Sequence, residues 1–132
     1  HLTVLTCTQY DVPAYDPVDA HDPVSCRPDF AIPIYPAYLD AKGGLDPLVE
    51  GIDRTKTPPM FISIAANDRF VEGAARFIIE ACKAKLPIEF HVYGSGGHGQ
   101  GLRKSSYPFS EWTGACERWL DDLAATYKAA QK

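Results

Sequence analysis

The sequence predicts an α/β domain, a mostly parallel sheet flanked by helices. Three observations carry this. Met60 to Ala66 is the clearest buried strand, apolar at every position except Ser63, as suits a strand covered on both faces. Ile88 to Tyr93 is a second segment of strand length, and between the two a stretch repeats its apolar residues at helical spacing. Strand, helix, strand in this rhythm implies parallel strands joined by right-handed crossovers.

Residues 1–9 are apolar and Thr-rich and suit the body of a helix. Residues 11–29, with Pro13, Pro17, Pro23 and Pro28 among many aspartates, make an irregular surface loop. Phe30 to Tyr35 has the apolarity and length of another buried strand, although Pro33 offers no N–H to a ladder. Residues 36–59 are broken by Pro36, Gly43-Gly44, Pro47 and Pro58-Pro59, leaving one short helical turn from Pro47 to Ile52. After the strand Met60 to Ala66, a helix is expected from Val71 to Leu86. Its buried face is Ala74, Phe77, Ile78, Ala81 and Cys82, and Pro87 is its stop. In the run Ile88 to Tyr93, Ile88, Phe90 and Val92 alternate with Glu89, His91 and Tyr93, which fits a strand near a sheet edge with one wetter face. A helix from Pro108 to Ala130 closes the chain, with Trp112, Cys116, Trp119, Leu120, Leu123 and Tyr127 along one stripe.

Length and charge bound the function. The 132 residues suffice for one domain with a modest core. A net charge of −4, with 13 scattered basic residues, gives no footprint for nucleic acid. No apolar run approaches the ~20 residues that cross a bilayer. Cys7, Cys26, Cys82 and Cys116 form no C-x-x-C pair, so a structural zinc or a redox motif is not indicated; buried reduced thiols are the simpler reading.

Parallel sheets place reactive groups on loops at the carboxyl ends of their strands. Two loops qualify, Asn67 to Phe70 and Gly94 to Gly101, and each carries one residue with suitable chemistry. Asp68 ends a buried strand and precedes a helix. Alone it would more often be a helix cap. His98 lies among Gly96, Gly97, Gly99 and Gly101. Alone it would be a histidine on an exposed loop, yet glycines let the backbone turn an imidazole back over the sheet. Together the pair gains weight, because a serine-hydrolase triad needs an acid and then a histidine on loops after successive strands. Gly94, Gly96 and Gly99 also spell G-x-G-x-x-G, but a dinucleotide site needs a βαβ unit, and only a loop and one helix remain after Gly99. His91 fits the wetter face of its strand. His21, beside Asp19 and Asp22, fits a solvated loop, since nothing supplies further fixed metal ligands.

These residues resemble a family. Arg27 to Leu39 is similar to the strand after the nucleophile helix in acetyl-esterase and feruloyl-esterase-like α/β-hydrolases, although Pro33 stands where an aliphatic residue is usual. Thr57 to Asp68 resembles their acid strand, with Asp68-Arg69-Phe70-Val71 matching D-x-x-V. Ile88 to Leu102 resembles their histidine loop, and Trp112 to Leu120 their closing helix. His1-Leu2 resembles the residues directly after Gly-x-Ser-Ala-Gly-Gly at their nucleophile elbow.

The resemblance implies a partial α/β-hydrolase fold, residues 1–132 being the C-terminal part of a single domain. It implies hydrolysis of carboxylic esters, acetyl or feruloyl esters of carbohydrates included, through a Ser-His-Asp triad. His98 would serve as general base and then acid, and Asp68 would orient it. The nucleophile is expected just upstream of His1, with the oxyanion segment further upstream. No cofactor and no metal are implied. The partners implied are a small ester substrate and the N-terminal half, or a second copy through the unpaired sheet edge; nucleic acid and membrane are not. A peptidase or lactone hydrolase of the same fold is the near alternative, and a non-catalytic pseudoenzyme or binding domain the distant one. A serine within Gly-x-Ser-x-Gly before His1 separates the catalytic readings from the last.

Overall fold

The structure is a computed structural model and describes residues 1–41, 44–49 and 51–130. Gly43 of the expected Gly43-Gly44 break and the last two residues of the expected 1–132 domain lie outside the described residues. The regular elements are α1 (Leu2–Thr8), β1 (Asp40–Ala41), β2 (Gly44–Leu45), β3 (Met60–Ala65), α2 (Val71–Lys83), β4 (Ile88–Tyr93) and α3 (Trp112–Ala130). Short 3-10 turns span Pro47–Val49 and Pro108–Glu111.

β3 is the centre. It pairs in parallel with β4, Met60 opposite Ile88 through Ala65 opposite Tyr93, and every one of its residues is buried. Side chains alternate across a strand, so Met60 and Ile62 pack with Val4, Cys7, Phe77 and Ala81 on the α1/α2 side. Phe61 packs with Ala115, Cys116 and Trp119 of α3 on the other. The chain is therefore layered helix, sheet, helix. Each fully buried large side chain in such a core contributes about 1.5–3 kcal/mol.

The segment from Phe30 to Tyr35 does not form the continuous strand expected. Among the described residues its ladder with β3 consists of two isolated parallel bridges, from Ala31 to Met60 and from Ile34 to Ser63. The hydrogen bonds explain why. Ala31 donates to Pro59 and accepts from Phe61, the Pro33 carbonyl accepts from Ser63, and Tyr35 donates to Ser63. In that register the next donor would be the amide of residue 33. Proline has none, so the ladder breaks there while both ends stay paired.

Other boundaries also differ. α2 stops at Lys83, three residues short of the expected end at Leu86. Leu86 N–H donates to Ala81 and Lys85 N–H to Cys82, with Lys85 at φ 56°. This is a Schellman ending, so the backbone closes the helix before Pro87 is reached. Lysine in the left-handed position is strained where glycine is not. Lys85→Gly is therefore expected to stabilise the chain by about 0.5–1 kcal/mol, read as a higher melting temperature.

In β4 the expected wet face is absent. Five of its residues are half-buried and only Val92 is exposed. The cause is that both faces are covered: Ile88 and Phe90 pack against the α1/α2 core, while His91 and Tyr93 lie against Phe61 and Phe109. Residues 108–111 form a 3-10 turn rather than the first turn of the last helix. Tyr127, expected on the buried stripe, is exposed, its hydroxyl donating to the Asp29 carbonyl. Of the four thiols only Cys7 and Cys116 are buried; Cys26 and Cys82 are exposed, and all four are free. Burial pushes the Cys7 thiol up to about 11.

Candidate active site

The carboxyl ends of the three parallel segments bring Tyr35, Asp68 and His98 together. β3 runs into a tight turn in which Asp68 N–H donates to the Ala65 carbonyl. Asp68 Oδ1 accepts the Phe70 N–H at 3.0 Å. Phe70, not Asp68, occupies the N-cap position of α2. The cap-like bond and the candidate catalytic bond thus share one carboxylate, because its second oxygen is left for the histidine.

That oxygen, Oδ2, lies 2.8 Å from His98 Nδ1. The Asp68 side chain is 0% exposed and that of His98 37%. A buried carboxylate is costly unless each oxygen is paired, and here each one is. With the carboxylate as acceptor, Nδ1 carries the proton, which leaves Nε2 as the basic nitrogen. Nε2 has no hydrogen-bond partner among the described residues.

The histidine loop is built to hold this position. Gly96 is buried, and a β-carbon placed on it would lie 2.5 Å from Phe109 Cβ. Only glycine permits that approach. Gly97, at φ 66°, donates its N–H to Asn67 Oδ1 at 2.9 Å, tying the histidine loop to the acid loop. Gln100 donates to the Gly96 carbonyl, Arg103 to Gly99, and the Trp112 indole to Gly101. The G-x-G-x-x-G pattern thus forms a bend held by side chains from outside it, those of Asn67, Gln100 and Arg103.

The sequence does not single out Tyr35, Asn67 or Phe70. The rule that finds the loops of Asp68 and His98, reactive groups at the carboxyl ends of parallel strands, would also have pointed to Tyr35 at the end of the first apolar run. Asn67 and Phe70 flank Asp68. The remaining histidines lie elsewhere. His91 bonds Glu89 through Nε2 at 2.6 Å on β4, and His21 stays exposed in the Pro-rich loop, where the Asp22 carboxylate is taken by Val18, Asp19 and Tyr15. No serine hydroxyl is bonded to His98 among the described residues; Ser105 and Ser110 bond each other, and Ser63 is buried within β3.

No family model and no curated protein matches the chain. Solved structures do. An acetyl ester-xyloside bifunctional hydrolase from Caldicellulosiruptor lactoaceticus is 28% identical with a TM-score of 0.76, covering 94% of this chain and 53% of its own. An α/β hydrolase enzyme from a Medee basin deep-sea metagenome library is 22% identical with a TM-score of 0.62, covering 93% of this chain and 50% of its own. A carboxylesterase from Lactobacillus plantarum, 17% identical with a TM-score of 0.60, covers 76% and 46%. The chain spans about half the length of the solved structures it matches.

Proposed function

From a chain that has the α/β-hydrolase fold over about half the length of its structural neighbours, we propose a carboxylic-ester hydrolase for which this segment supplies the acid and the base of a Ser-His-Asp triad. The observation that carries this reading is the 2.8 Å bond between His98 Nδ1 and a fully buried Asp68 carboxylate, on loops that leave the ends of adjacent parallel strands.

The chemistry rests on that bond. Asp68 holds the imidazole with its proton on Nδ1, so the Nε2 lone pair is free to take the proton of a serine as its oxygen attacks the ester carbonyl. The imidazolium that forms faces the buried carboxylate, which lowers its energy without itself taking the proton. His98 then returns the proton from Nε2 to the departing alkoxide, leaving an acyl-serine. A water deprotonated in the same way releases the acid. The serine and the oxyanion donors belong to a preceding segment, with which residues 1–132 complete one domain. Acetyl or feruloyl esters on carbohydrates are the proposed substrates, supported by the acetyl ester-xyloside hydrolase among the similar structures.

The isolated 132-residue chain is expected to show no turnover of a small activated acetate ester. Each oxyanion donor alone is worth on the order of 10²–10³ in rate, and the reading places every one of them in the preceding segment. Turnover by the isolated chain that disappears in His98→Ala would mean a nucleophile within these residues, and the assignment of roles would fall.

A further inference from the structure

We propose that Tyr35 and Phe70 are positioning residues for His98, two aromatic walls that keep its ring on Asp68; the inference rests on the acid–base reading above. The ring centroids of Tyr35 and Phe70 each lie 5.0 Å from that of His98, at interplanar angles of 65° and 64°. Both are edge-type contacts, the geometry that aromatic quadrupoles favour.

His98 needs such walls. It sits on a glycine-rich loop, its side chain is more than one-third exposed, and among the described residues a single hydrogen bond holds its ring. One bond fixes a distance and leaves the ring free to pivot about it. Contacts at the ring edges remove that freedom. The walls are themselves braced, Tyr35 against Phe109 at 6.0 Å and Phe70 against Tyr38 at 4.8 Å.

Backbone conformation supports the assignment. Tyr35 has φ 42° and Tyr38 φ 57°, the left-handed region that side-chain-bearing residues avoid. Such strain persists where the surroundings hold it in place, and it gathers at functional sites. At Tyr35 it brings a ring onto His98 and Phe109. Phe70 reaches the same imidazole from the N-cap position of α2, two residues after the carboxylate it helps to serve.

The test is ¹⁵N NMR of the histidine rings in this chain, with His98 assigned by its loss in His98→Gln. In the parent the two His98 ring nitrogens are expected to be widely split, as for one tautomer protonated on Nδ1, with slow exchange of that proton. Combining Tyr35→Leu with Phe70→Leu keeps apolar bulk but removes both rings. This is expected to pull the two shifts together and speed exchange, whereas Tyr35→Phe, which keeps the ring, leaves them split. Should the double variant unfold, Phe70→Leu alone is expected to show a partial collapse. Unchanged shifts and exchange in a folded variant lacking the rings overturn the proposal. The readout needs no turnover, so an absence of ester hydrolysis bears on the proposed activity and leaves the walls to be judged by the spectra.

Discussion

Asp68→Asn is expected to lower kcat on the order of 10⁴-fold in the proposed ester hydrolase, while leaving the fold in place. The two oxygens of Asp68 do different work. Oδ1 accepts the Phe70 N–H at the start of α2, and Oδ2 meets His98 Nδ1. An asparagine keeps its carbonyl for Phe70 and turns an amide N–H₂ towards the imidazole. Nδ1 then has to accept, the ring proton moves to Nε2, and the base is lost. Because the Phe70 bond survives, the melting temperature should stay close to that of the parent. Asp68→Ala removes both bonds and should cost a further ~1 kcal/mol of stability. Steady-state kinetics of Asp68→Asn beside a thermal melt separate the two roles. Retention of full kcat by the asparagine variant would remove Asp68 from the triad.

Gly96→Ala should destabilise the chain by roughly 2–4 kcal/mol, adding overpacking to backbone strain. The new methyl would meet Phe109 Cβ at 2.5 Å and Phe109 Cγ at 3.1 Å, with the Ala65 side chain at 3.5 Å behind. Neither side has room to give. Phe109 is buried against Tyr35 and Tyr93, and the loop is anchored by Asn67 and Gln100. φ at this position is 153°, at the margin of what an L-residue tolerates. If the chain avoids the overlap by lifting the loop, His98 leaves Asp68, and activity falls even where the fold survives. Denaturant unfolding measures the first effect, and the His98 ring spectrum detects the second. By contrast Gly97→Ala meets no atom within 4 Å and should cost only the strain of its left-handed φ. Equal losses at the two positions would show that the packing on Phe109 is not what requires glycine at 96.

The two loops are legible because their signals are local. A buried strand announces itself by a short, mostly apolar stretch, and the residue after it lies at a carboxyl end whatever the rest of the fold does. Asp68 and His98 are therefore picked out as candidates by chain order. The same locality explains where the reading fails. Pro33 is visible as a missing donor, but whether one absent bond ends a strand depends on what the neighbouring strand offers at that register. At β3 the flanking bonds hold and only the middle is lost. The sequence points to Pro87 as the stop of α2, while the backbone closes earlier through Lys85, whose left-handed φ no propensity would suggest for lysine.

By itself, then, the sequence determined the α/β class, the central strand, and the order of acid and histidine along the chain. Each of these depends on residue type and spacing within one segment. The tertiary structure decided the rest. It set the 2.8 Å between His98 and Asp68, the division of one carboxylate between a helix start and an imidazole, and the fit of Gly96 against Phe109. It also brought Tyr35 and Phe70 to the histidine ring from two other segments. Hydrogen bonds and ring contacts act over a few ångströms between residues far apart in the chain. No periodicity in the chain encodes such distances, so they exist only once the sheet has set its strands side by side.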